Sequence, residues 1–203
     1  MRKRVILFVG ISCLIFGGGA WSATDDIPRV LMAGDSWPGF MHLFRCFDTA
    51  FNDTPGLERW GERGNLTCEF GIRAPEYAAN YLDDLTAELT AYPTIDIVHL
   101  SLGGNDFLYS GWTPSMTPAQ VDALVASVNA QTEAVIDHIL SIRPNIRVVL
   151  CGYSFANHEI GGATAAQINA AHAAFEITRK DLCLGKARTY YINNLGLVQY
   201  YYG

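Results

Sequence analysis

Two short blocks of this 203-residue sequence carry side chains suited to nucleophilic chemistry on a carbonyl carbon. The first is Gly34-Asp35-Ser36, which follows the apolar run Arg29 to Ala33 and opens a helical pattern. A serine at that junction stands at the positive end of a helix dipole, where an alkoxide or oxyanion is stabilised. Glycine permits the tight turn from strand into helix. The second block is Gly103-Gly104-Asn105-Asp106, again after an apolar run. An asparagine amide held on a glycine turn donates hydrogen bonds to developing negative charge and stays neutral while doing so. Taken singly, each block also fits an ordinary strand-to-helix or Asn-Asp turn with a capping side chain.

Taken together, in this order and spacing, the two blocks resemble those of the SGNH (GDSL) hydrolase family, over about Val30 to Asn193. The resemblance implies a serine hydrolase of the esterase or lipase type. Ser36 would be the nucleophile and the Asn105 amide an oxyanion donor. A middle block supplies a glycine N–H to the same oxyanion, and Phe70-Gly71-Ile72-Arg73-Ala74 stands at its place. The family often has two glycines three residues apart; here the second is Ala74. Gly71 is therefore the candidate donor, with Ala74 as the alternative. The substrate implied is a small-molecule or glycan ester, hydrolysed through an acyl-enzyme without metal or organic cofactor.

The family also carries an Asp-x-x-His block after its last strand, the histidine acting as base. No such block follows the last strand pattern here, and the sequence ends in Tyr200-Tyr201-Tyr202-Gly203. Two readings stay open: a chain that stops before that block, which is favoured, or a member without it. The second leads to a different class of function, a catalytically impaired binding module that keeps the fold and the pocket. Among the five histidines, His158 is the best substitute base, because it follows the Ile146–Cys151 run at the expected edge. His42, His99, His138 and His172 read as helix or core residues.

These blocks need a scaffold, and the hydrophobic pattern supplies one. Strands are expected at Arg29–Ala33, Leu66–Phe70, Ile95–Leu102, Ile146–Cys151 and Thr189–Asn193. Helices are expected from Pro38 to Phe51, from Pro75 to about Leu89, from Thr117-Pro118 to about Ser141, and from Thr164 to about Leu182. The first of these places Phe40, Leu43, Phe44, Phe47 and Phe51 on one face. The alternation predicts an α/β fold, a three-layer αβα sandwich with a mostly parallel sheet of the SGNH-hydrolase, flavodoxin-like kind, lacking its C-terminal helix. Sites in such sheets form at the carboxyl ends of strands.

Composition agrees with a folded domain: half of the residues are hydrophobic and 17% are charged. Residues 1–23 read as a signal peptide, with Arg2, Lys3 and Arg4 before the apolar stretch Val5 to Phe16 and small residues at Ala20 and Ser22. Residues 24–203 form the hydrolase domain, secreted or periplasmic, C-terminally incomplete, and with no membrane span once the leader is cleaved. Cleavage removes three basic residues and no acidic one, taking the net charge from −6 to −9. That balance argues against a nucleic-acid partner. Cys46, Cys68, Cys151 and Cys183 match no zinc spacing; export favours disulfides, with Cys46–Cys68 the expected pair.

Overall fold

The computed structural model describes residues 26–156, 159 and 162–195. The expected signal peptide, His158 and the last eight residues lie outside this set.

Strand β1 (Ile27–Gly34) is followed by helices α1 (Ser36–Leu43) and α2 (Cys46–Asn52), strand β2 (Trp60–Arg63), and helices α3 (Ala74–Asn80) and α4 (Leu82–Ala91). Then come β3 (Ile97–Ser101), a π-helical turn at Asp106–Gly111, α5 (Pro118–Ile142), β4 (Arg147–Cys151), α6 (Ala165–Leu184) and β5 (Thr189–Ile192). The five strands form one parallel sheet in the order β2-β1-β3-β4-β5. The chain leaves β1 toward one edge and returns on the other side of it as β3. The carboxyl ends of β1 and β3 therefore flank the switch point at which α/β sheets open a crevice.

The two faces of the sheet differ. Alternating side chains Leu31, Ala33, Val98, Leu100, Val148 and Leu150 point to the main core, packed by α3 to α6. The opposite face holds a smaller cluster, Val30, Met32 and Phe51, beneath α1 and α2. On that side Tyr190 and Ile192 of β5 stay exposed, and no described helix covers them.

Several expected elements differ in detail. The helix expected over Pro38–Phe51 is two helices, because Arg45 adopts a left-handed conformation with φ of 52°. The break splits the expected apolar stripe: Phe51 is buried, whereas Phe40, Leu43 and Phe44 are exposed. The helix expected from Pro75 is also two, joined at Tyr81. The second strand is Trp60–Arg63 rather than Leu66–Phe70; the latter contributes only a single bridge, Cys68 to Gly34. Thr117 and Thr164 cap α5 and α6 as expected, each in a reciprocal capping box with the glutamine three residues on.

The four cysteines of the described region are free thiols, which corrects the expected Cys46–Cys68 disulfide. Cys46 is exposed at the start of α2, while the Cys68 thiol points inward and donates to the Met32 carbonyl at 3.3 Å.

Candidate active site

The turn after β1 is stitched to both of its neighbours. The Asp35 N–H donates to the Ser101 carbonyl at the end of β3, at 2.9 Å. On the other side the Gly34 N–H donates to Thr67 O and the Gly34 carbonyl accepts from the Glu69 N–H, both at 2.9 Å. Gly34 has φ of 116°, and a Cβ there would lie 1.9 Å from the Ser101 oxygen, so only glycine fits. Asp35 is buried and caps α1, with Oδ1 accepting from the Trp37 N–H at 3.1 Å. Its Oδ2 accepts from the Tyr153 hydroxyl. Burial pushes the Asp35 carboxyl up to about 6, against the opposing pull of the Tyr153 hydroxyl, the Trp37 N–H and the Arg179 charge. Ser36 is the first residue of α1, half-buried at the helix N-terminus.

The block after β3 faces this turn across the switch point. Gly103 has φ of 102°, and a Cβ on Gly104 would come within 2.5 Å of the Tyr153 ring. Asn105 is buried, and its Nδ2 donates to the Ile72 carbonyl at 2.9 Å. Asp106 is buried next to it, and its Oδ2 accepts from the Ala74 N–H, also at 2.9 Å. Burial raises the Asp106 carboxyl from its ordinary range. The π-helical turn that follows is the kind of irregularity often found at functional sites.

The middle block is held by both others. Glu69 bonds to Gly34, and Ile72 is bonded by Asn105. Gly71, between them, has φ of 79° and is exposed, with open space around the position a Cβ would take. Ala74 is a different matter. Its N–H is committed to Asp106, which removes it as an alternative donor to an oxyanion. The turns bearing Ser36, Gly71 and Asn105 are thus hydrogen-bonded into one rim.

The described histidines are engaged elsewhere or enclosed. His42 pairs with Asn65 at 2.6 Å and Glu62 at 3.4 Å, and the Glu62 carboxylate raises its pKa. His99 lies 2.9 Å from the Cys151 sulfur, and burial lowers it to about 4. His138 joins α5 to α4 through Thr86 Oγ1 and Leu82 O, at 2.8 and 3.0 Å. His172 is buried beside Phe107 and Tyr153 and is likewise lowered to about 4.

Of the aromatic residues near the blocks, Phe107 belongs to the core, 4.6 Å from the Phe175 ring. Trp37 is half-exposed and borders a cavity of about 310 Å³ with Met41, Phe47, His99, Ser101 and Cys151. No group of three or more His, Cys, Asp or Glu among the described residues is arranged to hold a metal ion. No described helix is long and apolar enough to cross a membrane.

Sequence reasoning missed Tyr153, Glu176 and Arg179, which lie directly behind both turns. Glu176 and Arg179 are spaced i, i+3 on the apolar face of α6, and charged residues on a core-facing stripe were the available signal.

The architecture corresponds to a known fold: the chain has the SGNH-hydrolase fold, with an α/β parallel sheet. Among solved structures it is similar to a gut microbial diltiazem-metabolizing enzyme, BT4096, at a TM-score of 0.59 and 12% identity, covering 86% of this chain and 38% of that one. It is also similar to the lipase Lip_vut3 from a goat rumen metagenome (TM-score 0.56, 13% identity, 82% and 80% covered). A third is the extracellular lipase of Streptomyces rimosus (0.51, 20%, 82% and 79%). The chain spans well under half the length of the first of these. No family model and no curated protein matches the sequence.

Proposed function

We propose that this protein is a serine hydrolase of carboxylic esters, with Ser36 as nucleophile. The observation that carries the reading is the rim itself. A half-buried serine at a helix N-terminus, a buried asparagine amide and a positive-φ glycine come from three separate crossovers, whose turns are hydrogen-bonded to one another at the switch point. The similarity to two solved lipases supports the same reading.

In this mechanism Ser36 Oγ attacks the acyl carbon and its proton passes to a base. The carbonyl oxygen becomes an oxyanion held by the N–H groups of Ser36 and Gly71 and by the Asn105 amide. Collapse expels the alcohol, protonated by the same base, and leaves an acyl-Ser36 ester. Water then attacks that ester and releases the acid. The base lies outside the described residues: His158, which follows β4 in the sequence, or the histidine of an Asp-x-x-His block such as the family resemblance implies. No metal or organic cofactor takes part. Residues 1–23 support export, so the place of action is the periplasm or the outside of the cell, on a small-molecule or glycan ester.

A fluorophosphonate probe tests this. It is expected to label the wild-type chain and not Ser36→Ala, with short-chain aryl ester turnover lost in parallel. A wild-type chain that folds, binds an ester analogue and remains unlabelled points to the binding-module reading instead. Loss of labelling in His158→Ala identifies that residue as the base.

A further inference from the structure

We propose that Tyr153 is a positioning residue that ties the nucleophile turn to the oxyanion turn and anchors both on a buried ion pair of α6. The inference rests on the roles proposed for Ser36 and Asn105. The contacts of Tyr153 do not.

Tyr153 follows β4 by two residues and is buried. Its hydroxyl donates to Asp35 Oδ2, next to Ser36, while the other oxygen of that carboxylate caps α1 at Trp37. Its ring lies against Gly104, next to Asn105, so closely that glycine is required there. One side chain therefore touches both turns. Its own backbone is held in turn, because the Tyr153 N–H donates to Glu176 Oε1 at 3.3 Å.

Glu176 and Arg179 are one turn apart on α6, at 3% and 0% exposure. Arg179 donates to the Leu102 carbonyl just past β3 and, at 2.8 Å, to the Cys151 carbonyl that ends β4. The Glu176 carboxylate also accepts from the Tyr191 hydroxyl of β5. Two charges so deeply enclosed are tolerated only with well-satisfied partners. Here those partners are the strand ends that carry the rim. The path runs from α6 to the ends of β3 and β4, to Tyr153, and from there to Asp35 and Gly104.

The hydroxyl gives this path a signature that packing alone would not have. Asp35 faces Tyr153, Arg179 and the Cys68 thiol, and the hydroxyl favours its carboxylate form. Deleting the hydroxyl leaves burial less opposed, so Asp35 takes up its proton at higher pH.

The experiment is an amide NMR titration between pH 4.5 and 8 of the wild-type chain and Tyr153→Phe, with melting curves to confirm that both are folded. In the wild type the Trp37 N–H and the Asn105 side-chain NH₂ are expected to share one inflection near the Asp35 titration. In Tyr153→Phe the Trp37 inflection moves to higher pH and the Asn105 response falls at least fivefold. An Asn105 response of equal size in both proteins, or none in the wild type, overturns the inference. Labelling of Ser36 by a fluorophosphonate is read alongside: Tyr153→Phe slows it at least tenfold and moves its acid limb up in pH. A wild-type chain that is never labelled counts against the hydrolase reading, and the titration then still decides the role of Tyr153.

Discussion

His172 offers a quantitative test of the core behind the site. Its ring is buried on α6, edge-on to Phe107 at 5.7 Å, and neither ring nitrogen meets a hydrogen-bonding partner among the described residues. Burial lowers its pKa from 6.5 to about 4, so the folded protein keeps the ring neutral. The unfolded chain takes up a proton below pH 6.5. Stability is therefore fully present above that value and is lost as pH falls toward 4, at about 1.4 kcal/mol per pH unit. Between pH 7 and pH 5 this histidine removes about 2 kcal/mol. His172→Phe keeps an aromatic ring against Phe107 and takes away the titration. Urea unfolding at pH 7 and pH 5 measures the effect: the loss on acidification should be about 2 kcal/mol smaller in the variant, about 1 M in midpoint at an m-value of roughly 2 kcal/mol/M. His99 adds a loss of the same sign in both proteins, and Asp35, whose pKa is raised, opposes it in both. The comparison between variant and wild type cancels these two. Equal acid sensitivity in the two proteins would refute the reasoning, since it would mean that the ring is already protonated or solvated in the folded state.

Other perturbations have equally definite outcomes. Arg179→Met leaves the Glu176 carboxylate buried without its cation and should cost about 3–5 kcal/mol in urea unfolding, whereas replacing both residues by apolar ones of similar volume should cost much less. Thiol titration with an aromatic disulfide reagent in native buffer should modify Cys46, which is exposed, and leave Cys68 and Cys151, both pushed to about 12 by burial, unreacted until denaturant is added.

The sequence made the scaffold legible where local chemistry and tertiary structure agree. Thr117 and Thr164 announce their helices because each cap is complete within four residues. Gly34 and Gly103 mark the ends of β1 and β3 because a side chain there would collide with the neighbouring chain. The break at Arg45 was hidden, since the aromatic spacing from Phe40 to Phe51 continues through it without a glycine or proline to mark the turn. Strand β2 was hidden for another reason. It is a short edge strand whose Trp60 is covered by the Arg29 guanidinium, 4.7 Å from the ring centroid, so it lacks an apolar alternation. At the site, Ser36 and Asn105 sit in blocks that can be read locally. The link between them through Tyr153 joins residues 118 apart in the chain, which no local pattern encodes.

The parallel sheet has a kinetic consequence for the rim. β1 pairs with β3 through partners such as Val30 and Ile97, and among the described residues no strand pairs with another through a hairpin. Each parallel pair needs a crossover, and its loop must close before the pairing rewards it. The three candidate groups stand on three different crossovers, so no early hairpin or helix pair contains even two of them. During refolding, helical signal should return first, and reactivity at Ser36 only with the slowest phase, when β1 and β3 meet. With Ser36 in its proposed role, half-folded or clipped forms would accordingly be chemically silent at this serine, and the appearance of fluorophosphonate labelling would time the end of folding.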